Sequence, residues 1–208
     1  MARPLPTTPP RFTVFDTPVL RTALRLIGIT LLWAKRWKTS VRLPEEPSFV
    51  AVVAPHTSFW DFPILISMAL KHRVKANWLG THTLFRGPFR WFFRYLGGIP
   101  VVSRTGGNGR VDAVVEAFRA NPRMRIGIAP EAGLSPVTRW RSGFYHIAVE
   151  AGVPILMVYA DYGKRLAGAD TWFTPTGDMA ADYERLGDYF GGITPRHPDR
   201  FALPEVDT

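Results

Sequence analysis

The chain has 208 residues, 46% of them hydrophobic and 21% charged, which suits one globular domain with a sizeable core and leaves too little length for two independent ones. It has a formal net charge of +9 and no cysteine, so disulfides, thiolate-zinc centres and cysteine nucleophiles are excluded, and a reducing compartment fits. The charge is uneven: eight Lys or Arg and no acid lie between Asp61 and Asp112, whereas from residue 161 onward nine acids face five bases, so the basic part suits an anionic partner such as anionic lipid, nucleic acid or an acidic carrier.

Residues 1–18 read as a flexible, proline-rich arm without the continuous apolar stretch of a signal peptide. Over residues 19–40, Leu20, Ala23, Leu24, Ile27, Leu31 and Ala34 recur at helical spacing and predict an amphipathic, membrane-associating helix. Trp33 and Trp37 near its end are mixed with Lys35, Arg36 and Lys38, a composition that suits a bilayer headgroup layer and equally a core-packing helix with a solvated basic end. The apolar run "LIGITLLWA" is nine residues long against the ~20 a spanning helix needs, so the chain is expected in the cytosol or peripherally on the cytoplasmic face of a membrane.

Residues 41–190 alternate strand-like runs ("SFVAVVA", "VKANWLG", "GGIPVVS", "RIGIA", "PILMVYA") with helix-like ones ("PILISMALKH", "VDAVVEAFRA", "YHIAVEAG"). That alternation predicts an α/β domain, a mostly parallel sheet flanked by helices. Within it, "LFRGPFRWFFRYLGG" sets Arg86, Arg90 and Arg94 four apart among six aromatics, which predicts a helix with arginines on one face and a membrane-contacting, acyl-channel or core face opposite. The glycines of "RTGGNGR" match neither the Walker nor the dinucleotide fingerprint and read as a flexible turn. Residues 191–208 read as an irregular tail.

Two strand ends resemble each other: "VVAP" runs into His56 and "GIAP" into Glu131. In one parallel sheet both side chains would emerge at the same carboxyl edge, where open α/β sheets bind ligands. His56 and Asp61 are five apart, about 140° on a straight helix, so they meet only if "HTSFWD" forms a turn. Pro63 is best tolerated in a first helical turn, which puts a helix start near Asp61. The carboxylate could then hold one imidazole nitrogen and leave the other as a general base; alternatively "SFWD" is a capping box and His56 fills a turn. With five histidines and no second ligand at metal spacing beside His56, no metal site is expected.

Taken together, "APHTSFWDFPI", "GTHTLFRGPFRWFFRYLGGIPVVSR" and "IAPEAGLSPVTRWRSGFYHIAVEAGVPILMVYADY" resemble, in order and spacing, the glycerolipid acyltransferases typified by lysophosphatidic acid acyltransferase, with its H-x4-D motif, over about residues 48–178. The resemblance implies an O-acyltransferase in which His56 deprotonates an acceptor hydroxyl that attacks an acyl thioester, acyl-CoA or acyl-ACP, with Asp61 orienting the ring. It implies that Arg104 addresses the acceptor phosphate and that Glu131 is the glutamate of the family's E-G-T-R motif. It implies no metal or redox cofactor, an acyl carrier and a membrane lipid as partners, peripheral contact with anionic membrane, and no nucleic acid. Glu131 is followed by Ala132, Gly133 and then Leu134, where the family has arginine. A forked arginine–phosphate pair is worth roughly 1.5 to 3 kcal/mol, and leucine can form none. Either Arg104, Arg139 or Arg141 supplies it for a lysophospholipid such as 1-acyl-glycerol-3-phosphate, or the acceptor is a lipid without that phosphate, such as an amino-acid lipid or glycolipid. A non-catalytic basic membrane-binding module is the alternative from another class.

Overall fold

Short runs, most of them apolar, form seven strands in the computed structural model, which describes residues 9–101, 108–136 and 138–205. They are β1 (Lys38–Val41), β2 (Phe49–Val53), β3 (Asn77–Thr81), β4 (Gly98–Val101), β5 (Arg125–Ile128), β6 (Ile155–Asp161) and β7 (Leu166–Phe173), in the sheet order β1-β7-β6-β2-β5-β3-β4. From β6 through β4 every pairing is parallel; β7 runs antiparallel to β6 and carries β1 parallel to itself. The helices are α1 (Pro18–Ala34), α2 (Asp61–Lys71), α3 (Arg90–Tyr95), α4 (Asn108–Ala120), α5 (Gly143–Ala151) and α6 (Met179–Gly191). The fold is therefore α/β, a mostly parallel sheet flanked by helices.

β2 and all of β6 but its last residue are apolar because both faces are covered. On β2, Val50 and Val52 join a core with Phe144 and Ile147 of α5 and Phe190 of α6, while Phe49 and Ala51 point the other way, to Leu32 of α1 and Ile64 and Met68 of α2. All seven residues of β6 are buried. A third cluster joins Val14, Phe15, Leu70 and Leu96 at one end.

The helix predicted over 19–40 ends at Ala34, and Lys38–Val41 is edge strand β1 instead. The stop is a Schellman closure: the Trp37 N–H bonds the Leu32 carbonyl at 2.7 Å and the Arg36 N–H bonds that of Trp33 at 2.9 Å, with Arg36 in the left-handed region at φ 57°. The inward face of α1 is Gly28 and Leu32; a Cβ on Gly28 would lie 3.1 Å from Ser67, so glycine there lets α1 approach α2 closely. Leu20 and Ile27, two members of the predicted stripe, face outward with Val19, Leu26 and Trp33, Ile27 being 63% and Trp33 79% exposed.

The arginine ladder also breaks. Gly87 (φ 76°) and Pro88 separate a single 3-10 turn, His82–Phe85, from the six-residue α3, so Arg86 lies outside the helix that holds Arg90 and Arg94. Phe85 is fully buried, while Phe89 and Trp91 are exposed. Among the described residues the tail after α6 has one 3-10 turn, Pro198–Arg200, and is docked: the Trp140 indole N–H donates to the Ala202 carbonyl (2.8 Å) and the His197 N–H to Thr57 Oγ1 (3.2 Å). Among the described residues no helix is long and apolar enough to cross a membrane.

Candidate active site

β2 and β5 are parallel neighbours with Val52 opposite Ile128, so their ends leave the sheet side by side. His56 stands three residues beyond β2 and Glu131 three beyond β5, and the two meet: Glu131 Oε2 accepts a 2.6 Å hydrogen bond from the His56 backbone N–H. Glu131 is only 5% exposed, and its Oε1 has no hydrogen-bond partner among the described residues. Burial pushes its carboxyl up to about 7; the neighbouring Asp61 adds to the rise, while the His56 N–H and ring oppose it.

After His56 the chain makes a turn, closed by the Asp61 N–H on the Ser58 carbonyl at 3.1 Å, and α2 starts at Asp61 with Pro63 in its first turn. Asp61 Oδ2 accepts the Ser58 N–H at 2.9 Å and lies 3.2 Å from His56 Nδ1. The two sequence alternatives for Asp61 therefore coexist in one carboxylate, which braces the turn and faces the histidine. The Nδ1 contact is close but off-axis, short of a formed hydrogen bond. The His56 side chain is 23% exposed and that of Asp61 fully buried, so the ring reaches solvent while its partner does not.

The ring opens onto a cleft of about 1560 Å³, larger than the ~300–1,000 Å³ usual for small-ligand sites. Its walls are largely apolar: Phe62, Leu65 and Met68 from α2, Trp78 from β3, Ile128 from β5 and Phe144 from α5. Of the residues singled out from sequence, His56, Glu131, Ala132, Gly133, Arg139 and Arg141 line this cleft together, as does Leu134. Asp61 lies behind His56, and Arg104 falls outside the described residues. Ala132 sits in the left-handed region at φ 55°, and the Arg141 N–H bonds the Pro130 carbonyl at 3.0 Å, folding this loop back on itself and leaving Arg139 and Arg141 exposed at the rim.

Three backbone amides in the loops after "AP", candidates to hold an oxyanion, are engaged internally: His56 with Glu131, Ser58 with Asp61, and Ala132 with the Ala129 carbonyl. One member of the site has no signal in the sequence. Tyr162, 101 residues from Asp61, donates its phenol to Asp61 Oδ1 at 2.6 Å. Nothing local marks it; only the pairing of β6 beside β2 brings it there.

A family model described as Acyltransferase matches residues 36–160. In fold, the chain resembles the crystal structure of the 1-acyl-sn-glycerophosphate (LPA) acyltransferase PlsC from Thermotoga maritima, at a TM-score of 0.54 and 18% identity, covering 83% of this chain and 75% of that one. A comparison with curated proteins gives no match.

Proposed function

This chain belongs to the acyltransferase family, and on that premise we propose that it is an O-acyltransferase that moves a fatty acyl group from acyl-CoA or acyl-ACP to the hydroxyl of a lysophospholipid such as 1-acyl-glycerol-3-phosphate. The observation that carries this reading is the meeting of His56, Asp61 and Glu131 at an apolar cleft large enough for acyl chains. The ring nitrogen of His56 turned away from Asp61 takes the proton of the acceptor hydroxyl as its oxygen attacks the thioester carbonyl carbon. The tetrahedral intermediate collapses, the carbon–sulfur bond breaks, and the thiolate leaves with the proton held by His56. The products are a lipid ester and a free thiol, and no metal or redox cofactor is needed. Asp61 keeps the imidazole oriented, and Glu131 fixes the backbone that carries it. The developing oxyanion needs donors beyond the three amides already engaged.

Arg139 and Arg141 at the cleft rim are the described cations placed to meet an acceptor phosphate. A second reading keeps the chemistry and changes the acceptor to an amino-acid lipid or glycolipid; Leu134 on the cleft wall favours it, since an isobutyl group offers phosphate nothing. We place the enzyme peripherally on the cytoplasmic face of an anionic membrane, supported by the exposed Leu26, Ile27 and Trp33 of α1 beside Lys35 and Arg36, and by exposed Phe89 and Trp91. The deciding experiment supplies labelled acyl-CoA and acyl-ACP with 1-acyl-glycerol-3-phosphate, a lyso amino-acid lipid and a glycolipid in mixed micelles. One acceptor should be acylated far faster than the rest, and thioester loss without any acylated lipid contradicts the proposal.

A further inference from the structure

Asp61 is fully buried, and only its Oδ2 faces His56. The other oxygen, Oδ1, accepts the 2.6 Å hydrogen bond of Tyr162, the residue that follows β6. We propose that Tyr162 is a positioning residue for acyl transfer, holding the Asp61 carboxylate in the orientation that steadies the His56 ring, an inference that rests on His56 being the base.

The phenol is delivered by rigid structure. β6 pairs with β2 up to Val53 opposite Val158, so the residue leaving β6 comes up behind the turn that carries His56. The Tyr162 backbone N–H donates to the Thr194 carbonyl at 2.9 Å, and its ring meets Trp37 edge-on at 5.0 Å. The Arg196 guanidinium lies over the same ring at 5.8 Å. The tail thus grips both partners, Tyr162 through Thr194 and Arg196, and the His56 loop through the His197 N–H on Thr57 Oγ1. Burial, and after it the Asp61 carboxylate, raises the phenol far above its ordinary value, so it remains a donor across any working pH.

Without this hydroxyl, a buried carboxylate oxygen is left without its hydrogen-bond donor and the carboxylate is freer to rotate away from the ring. Tyr162 does not line the substrate cleft, so its effect belongs to turnover and not to substrate affinity. The experiment compares wild type, Tyr162→Phe, Asp61→Asn, the double variant and His56→Ala in steady-state thioester turnover, with a melting curve for each. Tyr162→Phe retains the ring and its packing on Trp37. It should lower kcat roughly ten- to a hundredfold, the value of a hydrogen bond to a charged group, with KM unchanged and the melting temperature lower by a few degrees, because a buried carboxylate loses a donor. In the Asp61→Asn background the same change should cost nothing further. Unchanged kcat, an effect confined to KM, or an equal drop with Asp61→Asn present would overturn the role of Tyr162. Wild-type turnover by His56→Ala would instead overturn the base assignment itself, whatever Tyr162→Phe does.

Discussion

Glu131→Gln should make the protein more stable at alkaline pH. The wild-type carboxyl is only 5% exposed, and burial raises it from 4.5 to about 7. Because the folded value exceeds the unfolded one, the fold favours the protonated acid. Its stability is fully present below about pH 4.5, declines as pH rises, and is lost once the folded group ionises above about 7. The difference, 7 minus 4.5, corresponds to roughly 3 kcal/mol at 1.36 kcal/mol per unit. Glutamine keeps an oxygen to accept the His56 N–H and cannot ionise. Its amide nitrogen replaces an oxygen that has no partner among the described residues, which adds a pH-independent offset. The informative quantity is therefore the gap between the two proteins, which should widen in favour of Glu131→Gln by roughly 2.5 kcal/mol from pH 5 to 8, or about 5–10 °C in Tm for a chain of this size. Calorimetry across that range measures it. Parallel stability curves, or a gap that narrows with rising pH, would refute an uncompensated buried carboxyl at this position.

Three further outcomes follow from the same geometry. Leu134→Arg should lower KM for 1-acyl-glycerol-3-phosphate about tenfold if the cleft retains a phosphate-binding place, and initial rates over acceptor concentration would read it directly. Changing exposed Ile27 and Trp33 together to serine should weaken cosedimentation with anionic vesicles at least about tenfold while leaving the melting temperature alone, since neither side chain is packed inside. Gly168→Ala should destabilise by about 1 to 3 kcal/mol in urea unfolding, because the new Cβ would fall 2.2 Å from the ring of Tyr159, itself buried on β6.

The sheet is legible wherever strand and covering layer obey one rule. "SFVAVVA" and "PILMVYA" are continuous apolar runs because both faces of β2 and β6 are buried, and the twin "AP" ends place His56 beside Glu131 because β2 and β5 are parallel neighbours. Less is legible where local and tertiary forces compete. Helical periodicity alone carries the first helix past Ala34, but Trp37 turns back onto Leu32 and the following residues find a strand partner in β7, which no local pattern announces. The arginine spacing in "FRGPFRWFFR" suggests one helix, and Gly87 and Pro88 outweigh it. At the site, spacing alone sets capping against catalysis for Asp61, whereas the carboxylate has two oxygens and a turn that lets one of them both brace and face His56. Tyr162 is out of reach of sequence reasoning because its partner lies beyond a strand paired only in three dimensions, and Arg104 lies outside the described residues.

The proposed step is removal by His56 of the proton of a lipid hydroxyl as that hydroxyl attacks a thioester. It is tested most directly by continuous detection of free thiol from acyl-CoA or acyl-ACP, with the lipid acceptor present, for wild type and His56→Ala matched in melting temperature. The wild type should release thiol in an acceptor-dependent way, and the variant should be slower by roughly 10²–10⁴-fold. Equal acceptor-dependent rates from the two proteins would contradict it.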